Sequence, residues 1–291
     1  MQYSLTSNAN FSTTIPTGTN TGTYTVYYKA AESTNYTETS VYSKQVTISP
    51  KSVTATVTLS QTSYTYSGSA CQPTPTVKDG STTIPTSEYT VSYSNNVNAG
   101  TATCTISDKA DGNYTVSGSA TFTISKASLS SVTITLSWTS KAYNGSVQVP
   151  TATVKSGSTT LTSGTHYSLS YTNSSSKNAG TYTITASPTS NYSFTNVSAS
   201  YSITKIDPTI VAPTAKTGLV YDGNAKTLLD PGSNTTPGSW KYNLSGGSYS
   251  TSIPTATDAN PNGYSVGWQF TPNDTVNYNI LSNVLTTTIA R

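Results

Sequence analysis

The sequence predicts an all-β protein built as a tandem array of small two-sheet sandwiches, and three observations predict it. Tyr89-Thr90-Val91-Ser92-Tyr93 and Thr101-Ala102-Thr103-Cys104-Thr105-Ile106 alternate apolar and polar residues around an Asn/Gly loop, which is the pattern of a half-buried antiparallel hairpin. The pattern recurs: Tyr167 opens the same strand 78 residues after Tyr89, and Asn178-Ala179-Gly180-Thr181 repeats Asn98-Ala99-Gly100-Thr101 80 residues on. Helical periodicity of any length is missing while glycine and proline are plentiful, so almost no helix is expected.

Composition supports a folded chain. Charged residues make up 9% of the 291 residues, against about 25% in an ordinary soluble domain, and Ser, Thr, Asn and Tyr take their place. Disordered chains combine few aromatics with high net charge, whereas this one sets 22 Tyr in strand-like positions at a net charge of +3. The 14 basic and 11 acidic residues are scattered, so nothing predicts a nucleic-acid partner. No apolar run approaches the ~20 residues of a membrane span, and residues 1–20 lack a basic start followed by an apolar core, so neither membrane insertion nor an export signal is expected from these residues.

In chain order, residues 1–49 read as a partial repeat. Tyr3-Ser4-Leu5 followed by Phe11-Ser12-Thr13-Thr14-Ile15-Pro16-Thr17 matches Tyr242-Asn243-Leu244 followed by Tyr249-Ser250-Thr251-Ser252-Ile253-Pro254-Thr255, and the strands that precede this match in the last repeat have no counterpart. Such a half-sandwich leaves a sheet edge open to a neighbouring repeat or another chain. Residues 50–126, 127–204 and 205–291 read as three complete repeats. Each carries the turn Tyr66-Ser67-Gly68, Tyr143-Asn144-Gly145 or Tyr221-Asp222-Gly223. All four units carry Asn-Tyr before the last strand, at Asn35-Tyr36, Asn113-Tyr114, Asn191-Tyr192 and Asn277-Tyr278. The Tyr of this pair is expected to pin its own loop to the final strand. Junctions such as Ile124-Ser125-Lys126-Ala127-Ser128 are very short, which predicts limited bending between repeats.

Taken together, Tyr-x-Gly, Tyr-x-Val-x-Tyr-x-Asn-Asn, Asn-Ala-Gly-Thr, Asn-Tyr-Thr and the closing Phe-Thr-Ile-x-Lys resemble the bacterial immunoglobulin-like surface repeats called MBG-type. The resemblance covers nearly the whole chain. It implies tandem immunoglobulin-like β-sandwiches in a non-catalytic extracellular stalk or adhesion segment at a bacterial cell surface, with a phage virion decoration or fibre, or a secreted glycan-binding module, as alternatives. Partners implied are neighbouring repeats or a chain completing residues 1–49, or a host glycan or surface protein.

Few residues suggest chemistry. Cys71 and Cys104 fall in strands that an immunoglobulin-like disulfide would join, but repeat alignment sets Cys104 inward with Ile184 and Cys71 outward with Gln148 and Lys226, so a bond and two free thiols both stay open. His166 is the single histidine and reads as a loop residue, and Asp108-Lys109-Ala110-Asp111-Gly112-Asn113 reads as a polar turn. With no phosphate loop, nucleophile elbow or paired carboxylates, no catalytic residue, cofactor or metal is assigned and no enzyme is expected. Trp268 aligns with Tyr28 and is expected in the core. Trp138 aligns with the polar Gln61 and is expected either against the preceding repeat or exposed for a ligand, and Trp240 could be core or exposed.

Overall fold

The computed structural model describes residues 1–291 and is all-β, with a single 3-10 turn at Thr86–Glu88 as its only helical element. Contacts divide the chain into two compact units, Met1–Leu129 with Thr189–Ser193, and Ser130–Pro188 with Phe194–Arg291.

In the first unit, residues 50–126 fold as a closed sandwich. One sheet orders Ser63–Thr65, Gly118–Ser125, Gly100–Asp108 and Tyr89–Ser94, with Ser63–Thr65 parallel to Gly118–Ser125 and the other pairs antiparallel. The facing sheet holds Ala55–Leu59, Pro75–Asp79 and Thr82–Thr83. The period of two turns Ala102, Cys104 and Ile106 inward and their threonine neighbours outward. These residues meet Val77, Ile84, Tyr89 and Val116 at one end of the core, and Cys71, Phe122 and Ile124 at the other.

Residues 1–49 of the same unit form only the sheet Gln2–Ser4, Gly22–Lys29 and Tyr42–Ile48. Tyr3 pairs with Tyr28 and exchanges both backbone hydrogen bonds with Ser12, as Tyr242 pairs with Trp268 and exchanges both with Ser250. The match between these distant stretches is therefore a match of fold. No second sheet covers the apolar face, which forms an open groove of about 310 Å³ lined by Tyr3, Leu5, Tyr24, Val26, Val46 and Ile48.

In the second unit, residues 130–188 and 194–204 repeat the closed sandwich. Ser140–Ala142, Val197–Thr204, Gly180–Pro188 and Tyr167–Tyr171 form one sheet, and Val132–Leu136, Ala152–Ser156 and Thr159–Thr160 the other. Residues 205–291 keep the four-stranded sheet as Leu219–Val220, Leu281–Ala290, Asn260–Pro272 and Gly238–Leu244, while the facing layer is divided among three two-stranded pairs. Their core is Leu228, Leu229, Tyr242, Val266, Trp268, Phe270 and Ile289.

One expectation is corrected here. Cys71 is buried, 9% exposed, and so is its counterpart Gln148. The position lies beneath a loop: the Cys71 N–H donates to Asn96 O at 2.8 Å and Asn96 Nδ2 donates to Cys71 O at 2.9 Å. At Gln148 the same role falls to Ser176, whose backbone O accepts the Gln148 N–H and whose Oγ donates to Gln148 O. The backbone of this position is thus held beneath a loop in both repeats, and the buried Gln148 side chain is satisfied there by donating from Nε2 to Ala142 O at 3.0 Å.

Candidate functional site

The one arrangement that recurs with fixed geometry is the Asn of Asn-Tyr. In each complete repeat its backbone carbonyl accepts the N–H of the entering linker: Lys51 N to Asn113 O at 2.9 Å, Ala127 N to Asn191 O at 2.9 Å, and Ile206 N to Asn277 O at 3.1 Å. Its side chain turns the other way, toward the preceding repeat. Asn113 Oδ1 accepts from Thr21 N at 2.8 Å, Asn191 Oδ1 from Ala99 N at 2.9 Å, and Asn277 Oδ1 from Ala179 N at 2.7 Å. The amide Nδ2 then donates to Asn20, Asn98 and Asn178 Oδ1 at 3.4, 3.1 and 3.2 Å. The Asn carboxamide sets an acceptor and a donor on one short planar group, and all three copies use both.

Acidic residues orient two of these amides. Glu88 accepts from Asn113 N at 2.6 Å and from Asn113 Nδ2 at 3.3 Å. Asp274 accepts from Asn277 N at 3.1 Å and Nδ2 at 2.8 Å, and the hydrogen bond from the Asn277 side chain lowers the Asp274 carboxyl below its ordinary value. In the linker, Lys51 pairs with Asp79 at 2.8 Å, which raises the lysine's pKa.

The tyrosines divide: Tyr114 packs against the core of its own repeat, in line with the expectation, whereas Tyr192 and Tyr278 reach a ring of the preceding repeat. Tyr192 meets Tyr66 edge to face with ring centroids 5.4 Å apart, and Tyr278 meets Tyr143 at 5.8 Å. Tyr66 and Tyr143 belong to the Tyr-x-Gly turns, where Gly68 (φ 81°) and Gly145 (φ 77°) adopt a left-handed backbone and their tyrosines face the next Asn-Tyr loop. The two motifs are halves of one contact. Sequence reading found both and missed that they meet. The available signal was their co-recurrence: Asn-Tyr is kept wherever a Tyr-x-Gly turn or an Asn-x-Gly turn precedes it by one repeat.

The remaining singled-out residues lie inside their own repeats. Trp138 packs edge-on to Tyr201 at 5.2 Å, with Lys141 Nζ 4.8 Å above its ring. Its place in its own repeat follows from strand Ser140–Ala142. Its counterpart Ser63–Thr65 places Tyr64 edge-on to the core Phe122 at 5.6 Å, whereas Lys141 stands where Tyr64 would be and Trp138 supplies the missing ring. Trp240 packs on Trp268 and Phe270 at 5.5 and 4.9 Å and donates its Nε1–H to Asn234 Oδ1 at 3.0 Å. Trp268 is buried in the core.

Cys71 and Cys104 are both buried free thiols in different core clusters, and burial raises the Cys104 pKa. His166 Nδ1 accepts from Thr162 N at 3.0 Å while its own N–H returns to Thr162 O at 2.9 Å, closing a loop. In the 108–113 turn, Asp108 accepts from Val116 N and Asn113 belongs to the joint, so these groups serve separate contacts. No group of three or more His, Cys, Asp or Glu side chains stands together.

No family model and no curated protein matches the chain. Among solved structures it is similar to domains 1–6 of the surface layer protein SbsC, at 14% identity over 94% of this chain with a TM-score of 0.22. It is also similar to the human desmocollin-1 ectodomain, at 9% identity over 93% of this chain and 65% of that one with a TM-score of 0.24, and to a protocadherin gammaB7 fragment, at 13% identity over 92% and 85% with a TM-score of 0.24. The chain spans 45% of the surface-layer structure. The all-β assignment itself stands on the sheets described above.

Proposed function

We propose that the chain is a non-catalytic spacer: four segments, 1–49, 50–126, 127–204 and 205–291, of immunoglobulin-like repeats of the MBG type, presented outside a bacterial cell to hold a binding function away from its surface. The observation that carries this reading is the joint made three times over, with the same Asn atoms in the same roles. A chain whose repeats worked independently would have no need of a fixed hydrogen-bonded joint. A spacer does, because a joint that resists bending sets the distance at which the far end is held.

The groove of residues 1–49 supports one partner call. Its apolar lining matches the face that a second sheet covers in residues 50–126, so strands of the same alternating pattern, from a neighbouring repeat or another chain, complete it. The same open face favours the second reading, a virion protein whose fold is finished by an assembly partner.

Small-angle scattering of the intact chain tests the spacer reading. A single maximum dimension that is independent of ionic strength, and shortens or broadens in the triple variant Asn113→Ala, Asn191→Ala, Asn277→Ala, is the expected result. A broad distribution already present in the unmodified chain would remove the reason for the joint. Antibody labelling of intact source cells against purified virions then separates the two locations.

A further inference from the structure

The internal joint has two sides, and the chain carries one further, exposed copy of each. The giving side is the Asn-Tyr loop. At Asn35-Tyr36 it is exposed, with Tyr36 79% accessible, and its turn is closed by Tyr36 N to Ser33 O at 3.3 Å, as Tyr192 N to Thr189 O closes the giving loop at Asn191 at 3.3 Å.

The receiving side consists of a Tyr-x-Gly turn and an Asn-x-Gly turn. In residues 205–291 the first is Tyr221-Asp222-Gly223. Tyr221 N donates to Ala290 O at 2.9 Å, as Tyr66 N does to Ser125 O and Tyr143 N to Thr204 O, and Gly223 (φ 82°) has the backbone of Gly68 and Gly145. Tyr66 and Tyr143 are half-buried beneath a neighbour's tyrosine, whereas Tyr221 is 51% exposed. The second turn is Asp258-Ala259. Tyr264 Oη donates to Asp258 O at 2.7 Å, as Tyr24 Oη does to Asn20 O and Tyr182 Oη to Asn178 O, both at 2.8 Å, so Asp258 occupies the position of Asn20 and Asn178, and Ala259 that of Thr21 and Ala179.

We infer that this chain associates head to tail with a second copy of itself, the Asn35-Tyr36 loop of one copy seating on Tyr221 and Asp258-Ala259 of the next. Asn35 Oδ1 accepts from the Ala259 N–H, Tyr36 meets Tyr221 edge to face, and Asn35 Nδ2 donates to Asp258. The carboxylate in place of the Asn20 or Asn178 amide makes that last bond charge-assisted. The two surfaces are different, so the contact is heterologous and links copies head to tail, into a ring where the rotation closes and a filament where it does not. Within one chain the short linker supplies a high effective concentration to the joint, and between copies none exists, so association depends steeply on protein concentration.

Sedimentation velocity from about 10 μM to about 1 mM, together with cysteine trapping, tests this. Asn35→Cys and Ala259→Cys are introduced separately into chains carrying Cys71→Ser and Cys104→Ala, each first checked for native circular dichroism. If the cysteine-free background fails that check, the trapping is repeated with the native, buried thiols retained. Mild oxidation of the mixed single variants is expected to give a heterodimer, and of the double variant a ladder. Tyr36→Ala and Tyr221→Ala, both surface changes, are each expected to reduce association at least tenfold. The inference is overturned if sedimentation is independent of concentration to 1 mM, if no ladder forms, or if Tyr36→Ala and Tyr221→Ala leave association intact while Val46→Asp abolishes it. That last pattern would assign self-association to the open groove of residues 1–49.

Discussion

Residues 1–49 and 50–126 share one compact unit and one strand pattern, yet one is an open sheet and the other a closed sandwich. In 50–126 the inward residues Ala102, Cys104, Ile106, Phe122 and Ile124 are almost wholly buried, while the corresponding face of 1–49 leaves Val46 49% exposed and Ile15 67% exposed. Alternation therefore specifies which face is apolar, and a second layer is what turns that face into a core. What the open segment does have is the joint: Thr21 and Asn20 receive Asn113 as the closed repeats receive theirs. Inter-repeat contact and core closure are separable properties of this fold.

The largest test of that difference is truncation of an inward residue on each side. Phe122→Ala, which removes a ring contacted edge-on by Tyr64 and Tyr93, is expected to destabilise residues 50–126 by about 3–5 kcal/mol. Val46→Ala in 1–49 should cost about 0.5 kcal/mol or less, since half of that side chain already meets water. Hydrogen exchange resolved along the chain measures both, and equal losses would mean that residues 1–49 possess a core after all.

The joint gives a smaller effect. Asn191→Ala leaves the Ala99 N–H without its acceptor and Asn98 without its donor, a cost of about 0.5–1.5 kcal/mol confined to that joint. Asn191→Asp keeps the acceptor and loses only the donor, so Ala99 stays protected in that variant. Equal exchange at Ala99 in both variants would show that the side chain is not what protects it.

The smallest effect is one of pH. Asp274 has its pKa lowered by the hydrogen bond from Asn277, so its contribution to the 205–291 joint is full above the ordinary carboxylate value of 3.8 and disappears as pH falls through the lower folded value. Local opening around Ala179 is thus expected to rise in acid, and Asp274→Asn to flatten that dependence. An unchanged acid response in Asp274→Asn would place its origin elsewhere.

Much of this fold is legible in the sequence because a strand shows its facing directly. Tyr3 and Tyr242 are matched from their flanking residues, and Trp268 is placed in the core from its alignment with Tyr28. Contacts that cross repeats are harder to read. Asn191 and Ala99 lie 92 positions apart, and nothing in the local pattern of either says that they touch. The packing of Trp138 on Tyr201 is hard to read for the same reason: it depends on Lys141 standing where Tyr64 stands one repeat earlier, a substitution meaningful only once both strands are seen over the same core position. The polar Gln148 and Lys226 point Cys71 outward in the alignment, whereas the Gln148 side chain is buried with its Nε2 donating to Ala142 O.

The central claim is that Asn113, Asn191 and Asn277 each fasten their repeat to the one before. Amide exchange of Thr21, Ala99 and Ala179 in the intact chain tests it most directly. These three N–H groups sit in turns outside any strand ladder, and the account predicts that all three are protected and that Asn113→Ala, Asn191→Ala and Asn277→Ala each release only its own partner. Exchange at the unprotected rate in the unmodified chain, or simultaneous release of all three by any one substitution, would contradict it.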